Sequence, residues 1–438
     1  MRRARLAWCA IALVLGAARA GAADLDATLK YLSQVRDGDL TRQTEFPNQL
    51  YGHLGAYALP YESEIEGFFR AGYDFGLGRG GGDLYLASAR VPGAVEGLDL
   101  TVGRQWLNES LGGALVADGG TLRVGGDGPL QATVFGGVPR YFEPTYGVEK
   151  QSQNESVFGG SIEDDDFGDG RLEVGYFQQY RKGKTLRQLV SANVTQEYAN
   201  VVGRPNFYGS FAFDASQASV DFGNVGVNLV FDEMNLRFNL EGNYYQPQDR
   251  GRSRPEIDIN RREDGIFELF SVSEMWQVRT GLRYQVNPEI SAYADYSFQD
   301  YASVVGEREV GHVASVGAVW LPENDGLELV RAEYYVADSG GGNVNGGKVL
   351  YENRVYEQLT LRAKLDLAYY DKATNQNGIA FSSLLGVAYE VAEGVTCGMS
   401  LEALHNRRFD ADIRVGFGVI YEFGRWTLPL GAAGRTQS

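Results

Sequence analysis

Polar and apolar residues alternate along much of the chain, most clearly near the C-terminal end, from Asp410 to Phe423. The positions between the apolar ones are polar or small, apart from Ile420. Successive side chains of a β-strand point to opposite sides, so this pattern predicts a strand that separates an apolar medium from a polar one. The apolar side consists of Ile413, Val415, Phe417, Val419, Tyr421 and Phe423.

The same alternation recurs from Glu64 onward, for example in Trp276–Val286 and Gln358–Tyr370. We count about 20 strands, with a range of roughly 18 to 22 that depends on weakly patterned segments. Two of these segments lie near the N-terminus: Leu25–Arg36, which fits a first strand or a short helix, and Asn48–Leu59. The pattern predicts an all-β fold, and repetition on this scale favours an antiparallel up-and-down transmembrane β-barrel.

The connections between predicted strands alternate in length over the second half of the chain. Short, turn-forming links rich in Pro, Asn, Asp and Gly are Val286–Glu289, Pro322–Gly326, Glu352–Val355 and Ala392–Gly394. Longer polar links between them are Gln299–Glu309, Asp338–Gly347, Asp371–Asn377 and His405–Phe409. Outer-membrane barrels have short periplasmic turns and longer external loops. We therefore expect the last strand to run towards the periplasm.

The N-terminus has the features of a secretory signal peptide. Arg2, Arg3 and Arg5 precede an apolar run that ends near Ala18, and small residues follow up to Ala23. Such a run is too short to span a bilayer as a helix. We predict a signal peptide at 1–23 cleaved near its end, an N-terminal segment with possible first strands at 24–63, the barrel at 64–423 and a C-terminal tail at 424–438.

Composition and charge narrow the functional classes. The 57 glycines, 26 tyrosines and 22 phenylalanines, beside only 12 prolines, suit a barrel with many strands and aromatic strand ends. A net charge of −17 argues against nucleic acid as a partner. Beyond the signal the chain has one cysteine, Cys397, three scattered histidines and no CxxCH motif. We therefore expect no metal site, no haem attachment and no cofactor.

In a barrel the apolar face meets lipid and the polar face lines the interior, because a charged side chain in the hydrocarbon costs about 2–4 kcal/mol. A soluble β protein with one solvated face gives the same alternation, but the signal peptide and the aromatic strand ends favour the barrel. Both charge signs occur on the polar face, which predicts weak ion selectivity. The predicted lumen-lining residues are Arg171, Glu173, Arg237, Glu241, Arg279, Arg283, Asp295, Arg331, Glu333, Arg362, Lys364, Asp366 and Arg414.

Aromatic residues gather near the ends of the predicted strands. An aromatic ring with a polar tip is favoured at a membrane–water interface, although aromatics are also common in strands generally. The predicted membrane-interface aromatics are Tyr244, Trp276, Tyr284, Trp320, Tyr369, Tyr389, Tyr421 and Phe423.

Two motifs suggest chemistry, and each has a simpler interpretation. Gly76, Gly78 and Gly81 match the dinucleotide-binding pattern G-x-G-x-x-G, but a strand rather than a helix is predicted after them. The acidic run Glu163–Asp166 has the ligand density of a calcium site, but a solvated turn is the favoured interpretation. No nucleophile–base or paired-carboxylate set is visible, so we do not expect an enzyme.

Gly418, Tyr421 and Phe423 resemble the C-terminal assembly signal of outer-membrane β-barrel proteins, although the chain continues for 15 residues, 424–438, after Phe423. The resemblance implies a porin-like protein of the Gram-negative outer membrane, with membrane lipid and the barrel-assembly machinery as partners. Two functions fit. One is a channel for passive passage of small polar solutes. The other is a barrel that sheathes a multihaem c-type cytochrome for electron transfer across the outer membrane.

Overall fold

A computed structural model describes the chain at residues 23–37, 44–59, 62–107, 115–126, 128–141, 150–151, 154–246, 274–302, 308–322, 328–339, 342–371, 378–406 and 409–428. The predicted signal peptide, apart from Ala23, lies outside these residues. Within the part of the chain described, no helix is long and apolar enough to cross a membrane.

The described residues form one antiparallel sheet of 24 strands. Two of them, Thr44–Glu45 and Lys150–Gln151, are two residues long and extend neighbouring hairpins. The other 22 form the barrel wall. They are β1 Ala23–Asp37, β2 Pro47–Leu59, β3 Ser63–Asp74, β4 Arg79–Val95, β5 Leu98–Leu107, β6 Leu115–Val124, β7 Leu130–Tyr141, β8 Glu155–Phe167, β9 Gly170–Arg181, β10 Lys184–Glu197, β11 Asn206–Asp214, β12 Ser219–Phe231, β13 Leu236–Tyr245, β14 Met275–Gln285, β15 Ile290–Ala302, β16 Arg308–Trp320, β17 Glu328–Ser339, β18 Gly342–Tyr356, β19 Leu359–Asp371, β20 Gly378–Ala392, β21 Val395–Asn406 and β22 Phe409–Leu428.

The sheet closes on itself because the first and last strands pair. β1 pairs with β22 from Val35 opposite Val415 to Ala23 opposite Leu428, and it pairs with β2 on its other side. Closure leaves no long strand edge unpaired, which the hydrocarbon layer requires. The prediction of an all-β antiparallel barrel is confirmed, and the strand number lies at the top of the expected range.

Both N-terminal candidates are wall strands, so the wall begins at Ala23 rather than at Glu64. At the other end, β22 continues past Phe423, where we expected a tail to begin, and its pairing extends to Leu428.

Three predicted connections are wrong, and one of them is the expected long link His405–Phe409, in which Asn406 pairs with Phe409. Asp338 pairs with Asn343 and Ser339 with Gly342, so the supposed long link 338–347 is almost entirely strand. Its glycines suit a strand here because a Cβ on Gly346 would lie 2.7 Å from the Tyr335 hydroxyl, which needs that space. The supposed turn Glu352–Val355 also lies inside β18, and the true turn follows Tyr356.

The two ends of the barrel differ in their connections. At one end, which we call the short-turn end, most connections are brief, such as 96–97, 168–169, 286–289 and 393–394. The two longest connections, 142–154 and 246–274, both lie at the opposite end, which we call the long-connection end. This asymmetry is the one that outer-membrane barrels show between their periplasmic and external sides.

Candidate functional site: the inner face of the barrel

Most strands present one largely apolar and one largely polar face, and the polar face is the inner one; an exception is the ion-paired group Arg104, Asp118 and Arg140 on the outer face. Residues directly opposed in an antiparallel ladder point to the same side, so a face can be followed from strand to strand. Large apolar residues on one face are exposed, for example Val225 at 67% and Ile413 at 62%. Charged residues on the other are buried, for example Glu173 at 5% and Arg414 at 7%. Full burial of charged side chains on a single-layer wall is expected on its enclosed side, so the polar face is the inner one.

The structure places every predicted lumen-lining residue on this inner face. One ladder row joins Arg237 to Arg283, and another joins Glu333 to Lys348 and Asp366. A third row joins Arg331, Lys364 and Arg414 through intervening strands. Alternation predicts this placement because the side of a strand to which a residue points is a local property, and the role of these residues in lining a lumen stays a prediction.

Exposure on the inner face changes along the barrel axis. Buried inner-face residues lie mainly towards the long-connection end and occur around most of the wall: Asp74, Asp83, Gln105, Leu107, Ala117, Val157, Gln179, Arg187, Leu189, Asp214, Ser297, Gln299, Tyr301, Asp412 and Arg414. Towards the short-turn end many charged inner residues are exposed, including Arg171, Arg237, Arg283, Asp295 and Arg331, whereas Glu173 is buried. The interior is therefore packed near one end and open near the other.

An apolar cluster on the inner face contributes to this packing, and the sequence did not predict it. It consists of Leu107, Ala117, Phe135, Val157, Phe177 and Leu189, which come from six consecutive strands, β5 to β10, and are 0–7% exposed. We call it the inner apolar cluster. Phe135 and Phe177 both face Gly159 in the ladder, and a Cβ on that glycine would lie 2.7 Å from the Phe135 ring. The feature that could have indicated this cluster is a glycine on the polar face, Gly159, that lies opposite aromatic residues of the neighbouring strands.

Charges in the packed half are held in close pairs. Arg187 and Asp221 form an ion pair in which both side chains are almost fully buried. Arg70 contacts Asp83 at 2.5 Å, and Arg414 contacts Asp412 at 3.0 Å and Glu402 at 3.3 Å. Buried charges are tolerated when they are paired and hydrogen-bonded, as these are. Asp74 and Asp214, also buried in this half, accept backbone N–H groups.

Tyrosines on the inner face bridge across glycines to carboxylates. Tyr208 on β11 crosses Gly226 and donates to Glu241 on β13 at 2.8 Å. A Cβ on Gly226 would lie 2.3 Å from the Tyr208 ring, so the glycine makes room for it. Each bridge ties three neighbouring strands together and supplies a hydrogen-bond donor to a carboxylate.

The same arrangement recurs twice in the second half of the wall. Tyr293 crosses Gly317 to Glu333 at 2.5 Å. Tyr335 crosses Gly346 to Asp366 at 2.9 Å. These tyrosines were missing from the predicted lining because aromatics were assigned to the outer face.

The outer face carries the predicted membrane-interface aromatics in two rows. Tyr244, Trp276 and Tyr369 lie towards the long-connection end, and the Tyr244 and Trp276 rings are 4.5 Å apart. Tyr284, Trp320, Tyr389 and Tyr421 lie towards the short-turn end. The Phe423 backbone pairs with Ala27, and its side chain is outside the described structure. Two aromatic rows that flank an apolar belt are the arrangement of membrane barrels, and the interface role of each residue stays a prediction.

The motifs that suggested chemistry lie in turns and strand ends. Gly76 and Gly78 occupy the turn between β3 and β4, where the Asp74 carboxylate accepts the N–H groups of Gly76 at 2.8 Å and Leu77 at 3.0 Å. A strand–turn–strand setting does not form a dinucleotide site. In the acidic run, Glu163 contacts Arg171 at 2.6 Å and Asp165 contacts it at 3.4 Å. Among the described residues, no group of three or more His, Cys, Asp or Glu side chains is placed to hold a metal ion.

Comparisons with known proteins give distant structural similarity only. No protein-family model matches the chain, and no curated protein matches it. The chain is similar to the P pilus usher PapC translocation pore, with 10% identity, a TM-score of 0.49 and coverage of 91% of this chain and 99% of the other. It is also similar to a BenF-like porin from Pseudomonas fluorescens Pf-5, with 10% identity, a TM-score of 0.47 and coverage of 93% and 99%.

A third similar structure is Pseudomonas aeruginosa OccK2 (OpdF) in complex with glucuronate, with 9% identity, a TM-score of 0.46 and coverage of 93% and 98%. Because all three TM-scores are below 0.5, the fold assignment rests on the strand pairing and closure of the barrel itself.

Proposed function

We propose that the chain is an outer-membrane channel through which small polar solutes pass passively. The closed wall of 22 strands, the apolar outer belt and the two aromatic rows support a location in a bilayer. The unequal connections support an orientation with the short-turn end in the periplasm.

One observation carries the proposal: many charged side chains on the inner face are solvent-exposed over the short-turn half, although Glu173 is buried there. Arg171, Arg237, Asp295 and Arg331 are all exposed there. Charged side chains exposed in this way are not stable next to a dry interior, so we infer that this half of the barrel holds water. A water-filled interior enclosed by an apolar outer belt is a route for solutes.

The second function that fits the sequence, a sheath for a multihaem cytochrome, needs an interior that is wide along its whole length. The buried inner-face residues towards the long-connection end do not favour such a width. The solute channel is therefore the function that the geometry supports best.

Ion conductance of the purified chain tests the channel directly. The refolded barrel, inserted in a planar lipid bilayer without any partner, should give stepwise ion currents. Circular dichroism and the heat-dependent electrophoretic mobility of folded barrels control for folding. A correctly folded barrel that gives no current would overturn the channel, and stoichiometric haem on the natively purified protein would favour the sheath.

Cysteine labelling then locates the path. In a Cys397→Ser background, Asp295→Cys should react with a charged methanethiosulfonate reagent and lower the current, because Asp295 is exposed on the inner face. Ser297→Cys, two residues along the same face, should react slowly because Ser297 is 9% exposed. Val278→Cys, on the outer face, should not change the current. Equal effects at all three positions would contradict the proposed path.

A further inference from the structure

Two arginines stand directly opposite each other on the inner face near the short-turn end. Arg237 is the second residue of β13, Arg283 lies two residues before the end of β14, and the ladder pairs them. Both are exposed. Opposed residues in an antiparallel pair have Cβ atoms about 5 Å apart, and like charges at that spacing repel each other.

Neither arginine has a carboxylate partner among the described residues, where no acidic oxygen lies within 4.0 Å of either guanidinium. Other arginines on the same wall are paired: Arg331 contacts Glu333 at 2.9 Å, and Arg362 contacts Glu352 at 2.5 Å. Among the described residues, therefore, no ion pair offsets the repulsion between Arg237 and Arg283, and the nearest carboxylate along the ladder is that of Asp295.

The neighbours of the pair leave it accessible from the interior. Val230 faces Arg237 and Tyr293 faces Arg283 in the next strands. The Tyr293 hydroxyl is engaged by Glu333 and by the Arg331 Nε, which donates to it at 2.9 Å. The closest acid along the ladder is Asp295, which lies opposite Gly281. An Asp295 carboxylate oxygen would be 2.8 Å from a Cβ built on Gly281, so this carboxylate lies over the glycine.

We propose that Arg237 and Arg283 together bind an oxyanion, the carboxylate or phosphate group of a small solute, at the short-turn mouth of the barrel. A guanidinium presents a planar fork of donors that matches both groups, and two forks side by side can hold one anion between them. A bound anion offsets the repulsion between the arginines. This inference rests on the proposed channel and names its solute class: the mouth selects anions, in place of the weak selectivity that a mixed-charge lining predicts.

Direct binding tests the site without requiring conductance. Isothermal titration of the full barrel in detergent, with inorganic phosphate and separately with succinate, should give saturable binding. The double variant Arg237→Gln, Arg283→Gln should raise the Kd at least about tenfold, because charge-assisted hydrogen bonds are lost. Removing two opposed like charges does not endanger folding, which circular dichroism checks.

Arg354→Gln is the matched control. Arg354 is exposed, lies near the same end and bonds to the Glu357 carbonyl oxygen rather than to a carboxylate. Its loss removes one positive charge at a distance from the pair, so the Kd should change less than about twofold. No saturable binding to the wild type, an unchanged Kd in the double variant, or an equal change in Arg354→Gln would each overturn the site. Binding of phosphate but not succinate, or the reverse, identifies which oxyanion it takes.

Conductance separates failure of the site from failure of the channel. In a salt gradient the wild type should prefer chloride over potassium, phosphate should reduce the chloride current saturably, and the double variant should lose both effects. A current without either effect would overturn the anion site and leave the channel standing. Binding without any current would overturn the channel and leave the site.

Discussion

The two halves of the inner face follow the same sequence pattern but differ in packing. Towards the long-connection end, inner-face residues such as Leu189, Asp214 and Asp412 are at most 1% exposed. Towards the short-turn end, Arg171, Arg237 and Arg331 are exposed on that face. Alternation therefore determines which side of the wall a residue occupies, and it does not determine whether the interior next to that residue is filled or open.

Ion pairs show the same difference. Arg187 and Asp221 have side chains 7% and 8% exposed, whereas Arg362 and Glu352, towards the other end, have side chains 57% and 34% exposed. Water screens the second pair and not the first, so loss of one partner should have very different costs.

The largest expected effect is that of Arg187→Gln. It leaves Asp221 buried beside a neutral side chain, and breaking a buried pair in this way costs about 4 kcal/mol. The free energy of unfolding, measured by denaturant titration in detergent micelles with tryptophan fluorescence, should fall by that order.

Arg362→Gln is its counterpart in the open half and should cost less than about 1 kcal/mol, since exposed pairs contribute little. Equal losses of stability in the two variants would mean that the halves do not differ in hydration.

A smaller effect is expected for the inner apolar cluster. Leu189→Ala removes a side chain that is 0% exposed and should cost about 3 kcal/mol in the same titration. Leu350→Ala, on the inner face between Arg331 and Lys364, removes a partly exposed leucine and should cost less than about 1 kcal/mol. The comparison breaks down if Leu350→Ala is as destabilising as Leu189→Ala.

The smallest effect concerns the tyrosine bridges. Gly317→Ala places a Cβ 2.4 Å from the Tyr293 ring and should cost about 2 kcal/mol, because the ring must move away from Glu333. Gly347→Ala is the control on the outer face, where the nearest atom is 3.6 Å from the new Cβ, and it should be neutral within about 0.5 kcal/mol. A neutral Gly317→Ala would show that Tyr293 does not need to lie across the glycine.

Much of the wall could be predicted because strand formation here follows local alternation. The outer positions of β22 and the inner positions of the charged residues follow from it, including Arg331, Glu333 and Lys364. The wrongly predicted connections are those in which a turn-like residue composition competed with the alternation of polar and apolar residues. Glycine-rich 338–347 reads as a loop by composition, yet Gly346 is a strand residue that accommodates Tyr335. Glu352 and Asn353 read as a turn, yet they pair with Arg362 and Leu361.

The fold class and the side of the wall on which each residue lies follow from local sequence, because both depend on the two-residue period within a single strand. The closure of β1 on β22, the crossing of Tyr293 over Gly317 to Glu333, the opposition of Arg237 and Arg283, and the axial boundary between packed and open interior are set by the assembled sheet. Each of these depends on the register between strands that are distant in sequence, which alternation within a single strand leaves undetermined.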